Sequence, residues 1–254
     1  MGVQITDGTT TLPLRLTGQE HTVRDFAALR VNRQGKVISA AAPGGIAPRV
    51  ERTVSAEATD AERAALAAFH ATNPGTAIRY TDTVGREWNA RWLGPLETRE
   101  TAYAADGWHV LTLRLLLEGV YSDAGRTAWA NAASAMSIQK TGAALLYFPW
   151  GYDAPLGREG IATSHQQETP GGLAVDAARY TAREDRTLNF TGWPDSFATE
   201  FFDYFTNTMQ GAVYPATLTH SRDGAAAYRI IEGLRFTQGA GRRWSGSLKL
   251  RREV

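Results

Sequence analysis

The chain reads as one unit written twice, at an offset of 134 to 136 residues, and that feature limits the folds open to it more than any other. Arg52-Thr53-Val54 leads into a helical stretch at 59–72 and a strand near 77–81. Arg186-Thr187-Leu188 leads into a helix at 195–209 and a strand at 213–219. Arg52 and Arg186 lie 134 apart; Phe69 and Phe205, like Trp108 and Trp244, lie 136 apart. The starts also correspond, since Val3-Gln4-Ile5-Thr6-Asp7-Gly8 precedes Leu12-Pro13-Leu14 much as Ser137-Ile138-Gln139-Lys140-Thr141-Gly142 precedes Leu145-Leu146-Tyr147. A whole-domain duplication is the simplest cause, giving domains at 1–126 and 127–254. Two similar domains in one chain can halve the subunit count of a ring while keeping its pseudo-symmetry.

Each half is near the common domain length, so 254 residues can bury two cores. Net charge is +1, and residues 1–127 hold 14 basic and 14 acidic side chains, so neither half is a basic nucleic-acid-binding module. Cysteine is absent, which removes disulfide and thiolate chemistry and fits a reducing cytoplasm. The N-terminus has no basic region followed by an apolar one, and no apolar run approaches the roughly 20 residues of a membrane span. The expectation is a soluble, non-secreted protein.

Asp7-Gly8 marks a turn before the alternating Leu12, Leu14 and Leu16, which predicts a strand-turn-strand start. From Arg24 to Pro48 the pattern weakens, and the prolines and paired glycines of 40–48 oppose helix and strand. The same holds from Gly151 to Arg179, around Pro155, Gly157, Gly160, Pro170, Gly171 and Gly172. A long irregular arm is therefore expected at one place in both halves, contacting a neighbour.

Thr59-Asp60-Ala61-Glu62 fits a capping box, an alanine-rich stripe follows, and Asn73-Pro74-Gly75 stops the helix. The second copy begins at Pro194-Asp195-Ser196 and carries Phe197, Phe201, Phe202, Tyr204 and Phe205, a much bulkier packing surface. Strands are expected at 78–81, 87–93 and 108–118, then at 214–220, 226–231, 234–237 and 244–251. Leu111, Leu113, Leu115 and Leu117 share one strand face with His109, as Leu248 and Leu250 do in the second copy. These leucines match at 137 where the tryptophans match at 136, so either a bulge intervenes or one match is chance. The fold class predicted is mainly β: two tandem antiparallel β-sandwich or half-barrel domains, each with one packed helix and one arm.

Little chemistry is visible. His21, His70, His109, His165 and His220 have no metal-site spacing, and no HExxH, P-loop, dinucleotide fingerprint or G-x-S-x-G occurs. His165 near Glu168 reads as a solvated loop histidine. Ser137-Ile138-Gln139-Lys140 satisfies S-x-x-K but belongs to a β-like segment and lacks companion motifs. Glu97 with Glu100, and Glu184 with Asp185, are carboxylate pairs better read as exposed charges than as a glycosidase pair. Phe148, Trp150 and Tyr152 form an aromatic cluster suited to a core or subunit interface, with sugar stacking in a tandem carbohydrate-binding module as the alternative. No catalytic, cofactor or metal residue is expected; the chain reads as non-enzymatic and without a cofactor.

Arg229-Ile230-Ile231-Glu232-Gly233-Leu234-Arg235-Phe236 and Arg242-Arg243-Trp244-Ser245-Gly246-Ser247-Leu248-Lys249-Leu250 read like a closing hairpin, with Trp88 to Leu93 and Trp108 to Leu115 in those places in the first copy. With the duplication, helix and arm, this resembles the tail-tube fold. That fold is shared by tube proteins of long-tailed bacteriophages, their distal tail and baseplate-hub relatives, and type VI secretion tube proteins. The resemblance implies a structural role in which sheets of adjacent domains close into a β-barrel channel with helices outside. Six domains make a ring, so a two-domain chain would complete it as a homotrimer. DNA would pass through the lumen without specific binding, which nearly neutral halves suit. The diverged helices favour a distal tail or baseplate ring, with tube and tip proteins as neighbours, no membrane partner, assembly in the host cytoplasm and a final place in the virion tail.

Overall fold

The computed structural model describes residues 2–24, 28–31, 37–41, 48–100, 106–161, 164–168, 174–178 and 183–253, with side chains outside 25–47, 100–105, 154–184 and 240. The protein is mainly β. In the first half β1 (Val3–Thr6), β2 (Thr11–Arg24), β3 (Ala28–Val31), β4 (Val37–Ala41) and β5 (Arg49–Thr59) precede helix α1 (Asp60–Thr72). Strands β6 (Ile78–Thr81), β7 (Glu87–Trp92), β8 (Glu97–Glu100) and β9 (Trp108–Ser122) follow it. In the second half β10 (Met136–Gln139), β11 (Leu146–Tyr147), β12 (Asp153–Ile161), β13 (Ser164–Glu168), β14 (Ala174–Ala178) and β15 (Arg183–Pro194) precede α2 (Asp195–Asp203). Strands β16 (Ala216–His220), β17 (Gly224–Ile230), β18 (Leu234–Gly239) and β19 (Arg243–Arg252) complete the chain.

Among the described residues fifteen strands form one antiparallel sheet, and β3–β4 and β13–β14 are separate hairpins. The pairings run in the same order in both halves. β1 pairs with β2 and β6, as β10 does with β11 and β16. β9 pairs with β5, β7 and β8, as β19 does with β15, β17 and β18. β2 pairs with β5 as β12 pairs with β15. The halves join where β2 pairs with β18, so a single sheet runs through the molecule.

Why these elements form is clear from their residues. In β9 the buried side chains are His109, Leu111, Leu113, Leu115 and Leu117, a period-two face packed into the core. The Thr59 hydroxyl accepts from the Glu62 N–H while the Glu62 carboxylate accepts from the Thr59 N–H, which closes the start of α1. α1 packs on β5 and β9, and α2 packs on β15 and β19. A turn of π-helix, Tyr204–Thr208, extends α2 and buries Phe205.

The arms differ from expectation. Where long loops were predicted, the described residues hold paired strands: β3–β4 in the first arm, and β12, β13 and β14 in the second. Proline and glycine did not prevent this, because the β12–β15 register shifts between Asp153 and Gly157, and Pro155 falls in that irregularity, where an N–H is not needed. The Gly/Pro run of the first arm and Pro170-Gly171-Gly172 lie outside the described residues, except Pro48 at the first run's end. The match of Trp108 with Trp244 is one residue off. Thr59 faces Trp108 as Pro194 faces Arg243, and Leu115 faces Arg52 as Leu250 faces Arg186, so the closing strands match at an offset of 135, Arg52 and Arg186 stay at 134 across the register shift between Phe190 and Trp193, and Trp244 takes the place of His109. Leu113 and Leu115 then correspond to Leu248 and Leu250, which resolves the conflict of faces.

Candidate functional site at the seam between the halves

The joint between β2 and β18 is where the two halves meet through buried polar groups. Its register sets Gln19 opposite Gln238, Phe236 opposite His21, and Leu234 opposite Val23. Gln19 Nε2 donates to Gln238 Oε1 at 2.8 Å, and Gln19 Oε1 accepts from Arg52 Nη1 at 2.8 Å and from the Tyr80 hydroxyl at 3.0 Å. Gln238 Nε2 donates to Asp195 Oδ1, which also accepts from Trp244 Nε1 at 2.6 Å. Three of the six groups come from each half of the sequence, and the bond between Gln19 and Gln238 joins the two sets. The connected network therefore fixes one register, since a slip would leave buried polar atoms unpaired.

Burial sets the electrostatics. Desolvation pushes the Asp195 carboxyl above its ordinary value, although the bond from Trp244 and the nearby Arg52 oppose the rise. Desolvation also pushes the Tyr80 hydroxyl upward. His21 is 1% exposed, stacks on Phe202 with ring centroids 4.0 Å apart, and neither of its ring nitrogens has a hydrogen-bond partner. Desolvation, reinforced by the Arg52 cation, holds it well below the usual histidine range, so it is a neutral ring used as an aromatic.

A second set of contacts clasps α2 to the first half. Arg86, 2% exposed, donates to Asp203 of α2 at 2.7 Å and to Asp123 at 2.5 Å. Arg126 pairs with Glu200 and, at 3.5 Å, with Asp203. Behind them Phe197, Phe201, Phe202, Trp193 and Phe236 form a buried aromatic cluster.

One motif recurs in both halves. Asp60, the first residue of α1, accepts from or pairs with His109 Nε2 at 2.8 Å; Asp195, the first residue of α2, accepts from Trp244 Nε1 at 2.6 Å. Both pairs tie a helix start to the closing strand of their half at an offset of 135. Sequence reading missed it because His109 and Trp244 are different residue types, although two helix starts at Asp60 and Asp195 were a usable signal.

The candidate chemistry disperses. His70 bonds the Gly94 carbonyl, His220 Nδ1 accepts from the Arg222 N–H, and His165 lies on β13 with its side chain outside the described residues. Ser137 is on a strand, and Lys140 Nζ donates to the Thr208 carbonyl 2.9 Å away. Asp185 is held by Arg251 at 3.0 Å, and Glu97 and Glu100 lie on β8. Phe148 is fully buried, Tyr152 donates to Asp223, and Trp150 is exposed, so the three do not form a platform. Among the described residues no three His, Cys, Asp or Glu side chains gather as for a metal ion, and no helix is long and apolar enough to cross a membrane. No protein-family model matches the chain, and no curated protein matches it in sequence.

Proposed function

We propose that the protein is a structural subunit of a bacteriophage tail, a distal tail or baseplate ring built from three chains. Each chain carries two tandem tail-tube-like domains, 1–126 and 127–254. The observation that carries the reading is that two halves with the same strand pairings share one continuous sheet through β2 and β18. A repeat that joins side by side in one chain has the form needed to continue between chains and close. The ring would surround the path of the genome, contact the tail tube on one side and tip proteins on the other, and leave DNA unbound. The difference between α1 and α2 supports two unlike roles: α2 buries three phenylalanines, whereas α1 buries only Leu66 and Phe69.

Native mass spectrometry over rising protein concentration tests this. A species of three times the 27.6 kDa chain mass is the expected result. A chain that stays monomeric at every concentration, alone and with tail tube protein, contradicts it.

A further inference from the structure

We infer that β8 of one chain pairs with β12 of a second copy of this chain, repeating between molecules the β18–β2 seam inside one; the inference rests on the ring reading above. β18 and β8 correspond, since each pairs with the closing strand of its half, and β2 and β12 correspond, since each pairs with the strand leading into the helix. Inside the chain β18 and β2 satisfy each other. Among the described residues β8 pairs with β9 alone and β12 with β15 alone, so each keeps one side of its backbone unpaired.

The side chains carry the same asymmetry. β18 buries Leu234, Phe236 and Gln238 at the seam, while in β8 Leu96 just before it is half-buried and Glu97, Thr98 and Arg99 are exposed. The helices agree. The residues of α2 that reach the first half are Glu200, Phe202 and Asp203. At the 135 offset they correspond to Ala65, Ala67 and Ala68 of α1, and all three are exposed. The alanine face of α1 is thus the part that a neighbour covers in the other half. The charges of β8 discourage pairing with arbitrary strands and leave a partner of fixed register.

That register follows from the internal seam. Phe236, opposite Gly246, corresponds to Thr98, opposite Leu111; His21, opposite Arg52, corresponds to Arg158, opposite Arg186. Phe236 faces His21, so Thr98 faces Arg158 of the second copy. Six strands separate β8 from β12 along the sheet of one chain, so a bond between these positions within one molecule is not available.

The chain has no cysteine, which makes the test direct. Paired strand positions suit a disulfide, so the double variant Thr98→Cys with Arg158→Cys, oxidised as the full chain, should give covalent species of two and three chains. Glu20→Cys with Thr237→Cys, paired across the internal seam, should lock without forming oligomers. A shifted pair, Thr98→Cys with Gly160→Cys, should cross-link at least roughly fivefold less. Ala68→Arg should weaken assembly roughly tenfold or more while leaving the melting of the isolated chain unchanged. No covalent oligomer from the first pair when the internal control locks overturns the seam. If native mass then still shows three chains, the seam fails and the ring reading survives; cross-linked polymers that never close at three uphold the seam and sink the ring.

Discussion

His21 is a histidine used where a phenylalanine would serve, and its environment makes a sharp statement about pH. Its ring is buried against Phe202, faces the Arg52 cation nearby, and has no hydrogen bond on either nitrogen. Because its value in the folded chain is depressed below the ordinary 6.5, the unfolded chain binds the proton more readily, and stability falls as pH drops below about 6.5. Replacing His21 by Phe should remove two unsatisfied nitrogens, raise stability by about 1–2 kcal/mol and flatten the acid limb of a melting-temperature profile. A variant less stable at neutral pH would show that the ring makes contacts beyond stacking. Asp195 works in the opposite sense: its carboxyl ties Gln238 and Trp244 together, and Asp195→Ala leaves both donors buried. A loss of about 1–3 kcal/mol is expected in urea unfolding, and a loss under about 0.5 kcal/mol would mean that the network is not what holds the seam. His21 carries no signal in the sequence, and Asp195 is visible there only as part of the helix start Pro194-Asp195-Ser196. Gln19, His21, Gln238 and Asp195 gain their meaning only when β18 is laid against β2, a contact 219 residues apart that no local pattern encodes.

Elements were more legible than sites, and for a physical reason. The capping box and stop signal of α1, the leucine face of β9 and the first turn are local, and each appears where its residues require. The second arm departs from expectation because Pro155 falls where the β12–β15 register shifts, while the Gly/Pro run of the first arm lies, Pro48 aside, outside the described residues. The start of α2 has only Pro194 and no side-chain cap, so its helix depends on the phenylalanines it buries. Gly246 shows how tertiary packing fixes a residue that looks incidental. It lies opposite Phe236, whose ring crosses it to stack on Trp193, and a methyl group there would come within 2.6 Å of that ring and 2.8 Å of the Arg235 carbonyl. Gly246→Ala should therefore cost about 1–3 kcal/mol and disturb the β18–β19 ladder, read as lost amide protection in Arg235 to Gln238 by hydrogen exchange. Unchanged protection would place the Phe236 ring elsewhere. Thr59→Ala, which removes only the hydroxyl of the capping box, should cost α1 about 1 kcal/mol in thermal melts and leave the seam intact.

At the scale of the molecule, one buried cluster runs through both halves, from Val3 and Ile5 to Leu248 and Leu250. The sequence likeness around Arg52 and Arg186 points to like strand pairings in the two halves, but not to the way the halves meet, because similar segments in sequence do not say which edges join. What the structure adds is the side-by-side union of β2 and β18, with α2 clasped to the first half through Arg86 and Arg126. A closed ring of three chains follows if that union repeats, and with it a pore lined by strands and flanked by helices. End-on electron microscopy of the assembled particle tests this most directly. Six similar lobes around an open centre wide enough for duplex DNA are expected, with alternate lobes distinguishable by α1 and α2. A particle with two lobes per molecule that never closes, or a ring whose lobes do not come in pairs, would contradict it.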